Sequence, residues 1–164
     1  MGPPGGTTAT GWSGLTRSGR NLVGTFGRAR YSRRMDRRAR LLLAEANPAL
    51  AALLGEVFTE AGFVVDVVND GALAVDRFMR IPSDVVLLDL GLTVGRAGAI
   101  LIQLRRIDPD VPVVVLSGEL EDDPAGWIAC GAVACLVKPT RLENIARAVD
   151  TALTGTRLAL DRTA

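Results

Sequence analysis

The sequence predicts an α/β domain, a doubly wound parallel sheet of five βα units, and three observations carry that prediction. From Arg40 onward, short leucine-rich or β-branched runs alternate with segments whose apolar residues recur at three-and-four spacing. The run Val85 to Leu88 is continuously apolar between Asp84 and Asp89, as a central strand covered on both faces requires. The strand-like runs are separated by helix-sized intervals, so right-handed crossovers and parallel neighbours follow.

Each element has its own justification. Leu41-Leu42-Leu43-Ala44 is the first strand; Asn47-Pro48 then supplies an N-cap with proline at the first helical position. Leu50, Leu53, Leu54, Val57 and Phe58 mark one face of that first helix, which Gly62 closes. Phe63 to Val68 is β-branched and reads as the second strand, and Asn69-Asp70 caps a helix running to about Arg80, before Pro82. Asp84 to Asp89 is the third strand, Ala99 to Ile107 the third helix and Val113 to Leu116 the fourth strand, with Ser117-Gly118 as its exit. Glu121 to Cys130 reads as the fourth helix and Val133 to Val137 as the fifth strand. Arg141 to about Leu153 is the last helix, with Gly155 beyond its end and 156–164 a short tail.

Composition narrows the function. The 164 residues include 19 Lys+Arg and 18 Asp+Glu, a formal charge of +1, yet the charge is split. Residues 1–40 hold nine Arg against one acid, Asp36, a net of +8, whereas 41–164 carry ten basic and seventeen acidic residues, a net of −7. Two Cys and no His exclude a Ser-His-Asp triad, a Cys-His pair, a disulfide framework and a Cys/His zinc site. Cys130 and Cys135 read as small buried hydrophobes, and Trp127 as a packing residue on the fourth helix. No apolar run is long enough to span a membrane and Met1 to Arg20 lacks the apolar core of a secretory signal, so the expected location is cytoplasmic.

Residues 1–38 are rich in Gly, Ser, Thr and Arg, cannot bury enough surface to offset ordering entropy, and are expected to form a disordered basic arm ahead of a domain at 39–155. Arg28, Arg30, Arg33, Arg34, Arg37 and Arg38, with Phe26 and Tyr31 among them, give three readings: a solvated tail, an electrostatic arm for nucleic acid or an acidic partner, or a stretch preceding a true start at Met35.

In a doubly wound sheet ligands bind at the carboxyl ends of the strands. Here those ends carry Glu45-Ala46, Asp89, Ser117 and Lys138-Pro139. A carboxylate, a hydroxyl and an ammonium at one mouth suit a phosphoryl group, with Asp89 as acceptor and Ser117 and Lys138 as ligands for its oxygens.

Over residues 40–154 the chain resembles the receiver domains of two-component response regulators. The resemblance rests on Asp84-Val85-Val86-Leu87-Leu88-Asp89-Leu90, on Val113-Val114-Val115-Leu116-Ser117-Gly118, and on Gly131-Ala132 leading to Leu136-Val137-Lys138-Pro139. It implies a flavodoxin-like fold of strand order 2-1-3-4-5, a cis Lys138-Pro139 bond, and phosphorylation of Asp89 by a histidine kinase or phosphotransfer protein. It also implies Mg²⁺ held by Asp89, the Gly91 carbonyl and, weakly, Glu45, with output through the face around the fourth helix and fifth strand.

Three departures modify that expectation. Where receivers place two adjacent acids, this chain has Glu45-Ala46; the lost acid is a metal ligand, and losing one costs at least about 10- to 100-fold in affinity. The loop after Asp89 reads Leu92-Thr93-Val94-Gly95-Arg96 in place of a Pro-Gly turn, and Cys135 replaces the fifth-strand aromatic, so no ring rotation reports the switch.

Two enzyme readings fail. Asp89-Leu90-Gly91-Leu92-Thr93 resembles the nucleophile motif of haloacid-dehalogenase phosphatases, but Gly91 stands where that chemistry needs a second Asp. Ala44-Glu45-Ala46-Asn47-Pro48 lacks the glycines a dinucleotide site requires. The expectation is a signalling module and not an enzyme: a stand-alone receiver in a phosphorelay, signalling to an unidentified downstream protein by contact. Its alternative is a phosphorylation-independent pseudo-receiver that serves as a binding module.

Overall fold

The computed structural model describes residues 38–92, 97–118 and 124–163, with side chains described up to 155 apart from that of 97. The Arg-rich arm, the alternative start at Met35, and the loop positions 93–96 and 119–123 lie outside the described residues.

Five parallel strands form one sheet in the order β2-β1-β3-β4-β5, the order that the family resemblance implies. They are β1 (Arg40–Ala44), β2 (Val64–Val68), β3 (Val85–Asp89), β4 (Val113–Ser117) and β5 (Ala134–Val137). The helices are α1 (Pro48–Glu60), α2 (Gly71–Arg80), α3 (Ala97–Ile107), α4 (Pro124–Ala129) and α5 (Leu142–Thr163), and a 3₁₀ turn (Leu90–Leu92) follows β3. None of the described helices is long and apolar enough to cross a membrane.

Strand alternation divides the interior into two layers. Leu41, Leu43, Val85, Leu87, Val114 and Leu116 face Leu54 and Phe58 of α1 and Ile145 and Val149 of α5. Leu42, Val86, Leu88, Val113 and Val115 face Phe78 of α2 and Leu101 and Leu104 of α3. The central strands β3 and β4 are buried throughout, while the edge strands β2 and β5 are half-buried.

The caps behave as their residue types dictate. The Asn47 side chain accepts hydrogen bonds from the amides of Ala49 and Leu50, and Asp70 does the same for Ala72 and Leu73. Gly62 and Gly131 take φ of +101° and +104°, the left-handed turn conformation that a side chain resists.

Three expectations need correction. The last helix does not stop at Leu153 but continues through Gly155 to Thr163; Gly155 has no left-handed φ and so is an interior helical residue, not a cap. Cys130 is exposed and Cys135 half-buried: Cys130 falls in the turn after α4, and Cys135 lies on an edge strand. The fourth helix ends one residue early, at Ala129, and buries none of its residues; Trp127, half-buried over Gly98 of α3, is its contact with the core.

Candidate functional site

Parallel register brings the strand ends to one edge. Ala44 lies beside Leu88 and Asp89 beside Leu116, while Ser117 lies beside Val137. Glu45, Asp89, Ser117 and Lys138 therefore end neighbouring strands on the same side of the sheet. Glu45 and Ser117 are fully buried and Asp89 is 4% exposed.

Lys138 ties this edge together. Its Nζ lies 3.0 Å from Asp89 Oδ1 and 3.0 Å from Glu45 Oε2, reaching across β4 to both carboxyls. Lys138 is aimed there by its backbone: its amide donates to the Ser117 carbonyl at 2.7 Å, and the Lys138-Pro139 bond is cis, as expected.

Backbone donors complete the arrangement. Asp89 Oδ1 also accepts from the Gly91 amide at 3.1 Å, whereas Oδ2 has a longer contact, 3.3 Å, with the Ala46 amide. The Asn47 amide donates to Glu45 Oε1 at 2.9 Å, and the Glu45 amide donates to the Val68 carbonyl. A Cβ at Gly91 would sit 3.1 Å from Asp89 Oδ2, so the absence of a side chain there leaves the carboxylate its place.

The two acids titrate in opposite directions. Burial pushes Glu45 up, outweighing the Asn47 amide and Lys138, and the neighbouring Asp89 adds to the rise. Burial also acts upward on Asp89, but the hydrogen bonds from Lys138, Gly91 and Glu45 prevail and hold its carboxyl below the ordinary range. The two neighbouring acids are thus pushed apart in titration, Asp89 downward and Glu45 upward, a separation typical of sites with distinct chemical roles.

Of the residues singled out by sequence, Glu45, Asp89 and Lys138 are in direct contact, Gly91 touches Asp89 through its amide, and Ser117 joins through its carbonyl to the Lys138 amide. Two participants carry no sequence signal. Ala46 and Asn47 act through backbone amides, which every residue but proline possesses, and their placement depends on how the chain turns after β1. Glu45, expected from the resemblance as a weak metal ligand, is paired with Lys138.

The family profile described as "Response regulator receiver domain" matches residues 41–150. The DNA-binding response regulator MtrA of Mycolicibacterium smegmatis is 31% identical over 109 residues, covering 66% of this chain and 47% of that protein. The transcriptional regulatory protein TrcR of Mycobacterium tuberculosis is 30% identical over 138 residues, 83% of this chain and 54% of its own length. The chain thus spans about half the length of these relatives. Among solved structures, the receiver domain of a LuxO-type repressor from Vibrio parahaemolyticus superposes with a TM-score of 0.69 at 23% identity, covering 75% of this chain and 95% of that one. A response regulator receiver protein from Sinorhizobium medicae gives 0.63 at 26%, covering 73% and 97%. Because the profile spans more than half of the sequence, with the sheet order that the family's structures share, the chain belongs to the response regulator receiver family of two-component signalling.

Proposed function

We propose that this receiver accepts a phosphoryl group on Asp89 from a histidine kinase or phosphotransfer protein and passes the signal to a downstream protein by contact. The observation that carries the reading is the Asp89 carboxyl at the strand edge, held 3.0 Å from the Lys138 ammonium. Oδ1 is committed to Lys138 and the Gly91 amide, so Oδ2, with its long contact to Ala46, is the nucleophilic oxygen. It forms the new P–O bond as the donor's P–N or P–O bond breaks and the leaving group takes the electron pair. Lys138 is placed to offset the charge that arrives, about −1.5 to −2 at neutral pH for a phosphate ester. Ser117, at the next strand end, is the candidate ligand for an equatorial oxygen. Receiver domains are signalling modules, and nothing in this arrangement calls for turnover.

Receiver domains generally bind Mg²⁺ at this site, and the donor set here fits a weakly held ion. The Asp89 carboxylate and the Gly91 carbonyl are the groups that would hold it, with water and the donor's phosphate oxygens filling the rest. Glu45 is engaged by Lys138 and the Asn47 amide, and Ala46 has no side-chain oxygen to offer. Among the described residues no cluster of three or more His, Cys, Asp or Glu forms a stronger cation site. When bound, Mg²⁺ neutralises charge on the phosphoryl oxygens.

Intact mass after incubation with a small-molecule phosphodonor and excess Mg²⁺ tests the proposal. A phosphoryl adduct is expected on the wild type and absent from Asp89→Asn. No adduct on the wild type would instead support the second reading, a phosphorylation-independent binding module, which the Lys138 bridge between two carboxylates and the loss of an acid at Ala46 favour.

A further inference from the structure

The edge of the sheet away from the phosphorylation face carries a feature that the receiver function does not use. β2 pairs with β1 on one side and with no described strand on the other. Val64 donates to Ala39 and Val68 accepts from Glu45, so the alternation of a parallel ladder turns the amides and carbonyls of Val65 and Val67 outward. The sequence Val-Val-Asp-Val-Val is strongly strand-forming, and Val67 is 44% exposed among the described residues, which makes this an edge apt to pair with a further strand.

Beside it runs a groove of about 340 Å³ lined by Gly55, Glu56, Thr59, Glu60, Val65 and Val67. Its rim is acidic and unbalanced. Glu56 and Glu60 are the only charged residues of α1, both are exposed, and neither has an ion-pair partner among the described residues. They repel each other at i,i+4, and Glu60 sits in the last turn, where the helix dipole disfavours an anion. On the opposite face of β2, Asp66 is already paired with Arg77 at 3.2 Å. An occupant of the groove must therefore offer backbone groups to Val65 and Val67 and cations to Glu56 and Glu60.

This chain carries such a segment. Residues 1–40 have a net charge of +8 against −7 for the remainder, and Arg28-Ala29-Arg30-Tyr31-Ser32 alternates arginine with uncharged residues. Two arginines two residues apart on a strand are separated by about 6.6 Å. Two glutamates four residues apart on a helix are separated by about 6 Å along its axis. The reach is also adequate. The arm joins the domain at Ala39, which is hydrogen-bonded to the first residue of β2, and a strand beyond β2 would lie about 10 Å from β1. The five residues 33–37 span up to about 17 Å.

We propose that residues 28–32 of the arm dock along the outer edge of β2 as an additional antiparallel strand, with Arg28 and Arg30 over Glu56 and Glu60. The arm is then an intramolecular strap that covers an aggregation-prone edge and neutralises α1. The proposal is independent of phosphorylation at Asp89.

Residue-resolved amide hydrogen exchange of the full chain tests it. At low salt the Val65 and Val67 amides are expected to be protected, and the protection to fall by about tenfold or more in about 1 M NaCl. Glu56→Lys with Glu60→Lys is expected to remove it, as is Arg28→Glu with Arg30→Glu, while the combined four-residue exchange restores it; β3 amides report that each variant is folded. Fast exchange at Val65 and Val67 in the full chain overturns the proposal, as does protection indifferent to salt and to the charge reversals. Protection that rises with protein concentration assigns the groove to a second copy, and protection that appears only on adding DNA assigns the arm to nucleic acid; either result overturns it.

Discussion

At the scale of residues, one lysine serves two buried carboxyls, and the consequence is asymmetric. Lys138, the Gly91 amide and Glu45 hold Asp89 below its ordinary range against the upward push of burial, whereas at Glu45 burial outweighs its hydrogen bonds and raises it. These directions predict opposite slopes of stability with pH. The contribution of Asp89 is present above its ordinary value of 3.8 and disappears as pH falls through its lowered native pKa. Glu45 binds its proton more tightly in the native state, so its contribution is full below the ordinary value of 4.5 and is lost as pH rises through the raised native pKa. Glu45→Gln should therefore abolish the decline in stability above about pH 4.5 while leaving the acid-side loss, read as urea midpoints between about pH 3 and 8. An unchanged slope in the variant would refute this account of Glu45. Sequence was enough to nominate these side chains, because acids and a lysine at predicted strand ends stand out. It could not show that Lys138 bridges them, since the contact joins residues 93 apart in the chain.

At the scale of elements, caps were readable and one helix end was not. Asn47-Pro48 and Asp70 announce helix starts through short-range chemistry, the side chain bonding amides two and three residues on. Gly155 has the composition of a stop signal, yet in α5 it is an ordinary helical glycine with nothing within 4 Å of where a Cβ would stand. Its meaning depends on φ, which residue identity does not fix. Gly155→Ala should accordingly stabilise the protein by up to about 1 kcal/mol through helix propensity, measured by thermal unfolding. Destabilisation of that size would mean that the glycine caps a shorter helix. α4 shows the converse limit: its six residues bury none of their number, so the apolar spacing from which helices are read has little to report.

At the scale of the whole molecule, the sheet separates two cores that share strands but not side chains. Phe58 lies in the layer of α1 and α5, and Phe78 in the layer of α2 and α3. Phe58→Leu and Phe78→Leu should each cost about 1 kcal/mol, and the double variant should equal their sum within about 0.5 kcal/mol, as for sites without common partners. Urea denaturation of the four proteins provides the cycle, and a larger deviation would show that the layers communicate through the sheet.

The sequence by itself determined the βα alternation, the buried central strands and the residues at the carboxyl edge, because periodicity, capping and strand ends are local properties of the chain. Strand order 2-1-3-4-5 came from resemblance to a family and not from the periodicity, since pairing is a long-range choice. Tertiary structure alone decided which atoms meet: Lys138 between Glu45 and Asp89, the amides of Ala46, Asn47 and Gly91 on the carboxyls, and an outer edge of β2, unpaired among the described residues, beside Glu56 and Glu60. Backbone donors look alike in every residue, and a buried charge is tuned by its distance to others, so both become visible only when the strands are laid side by side.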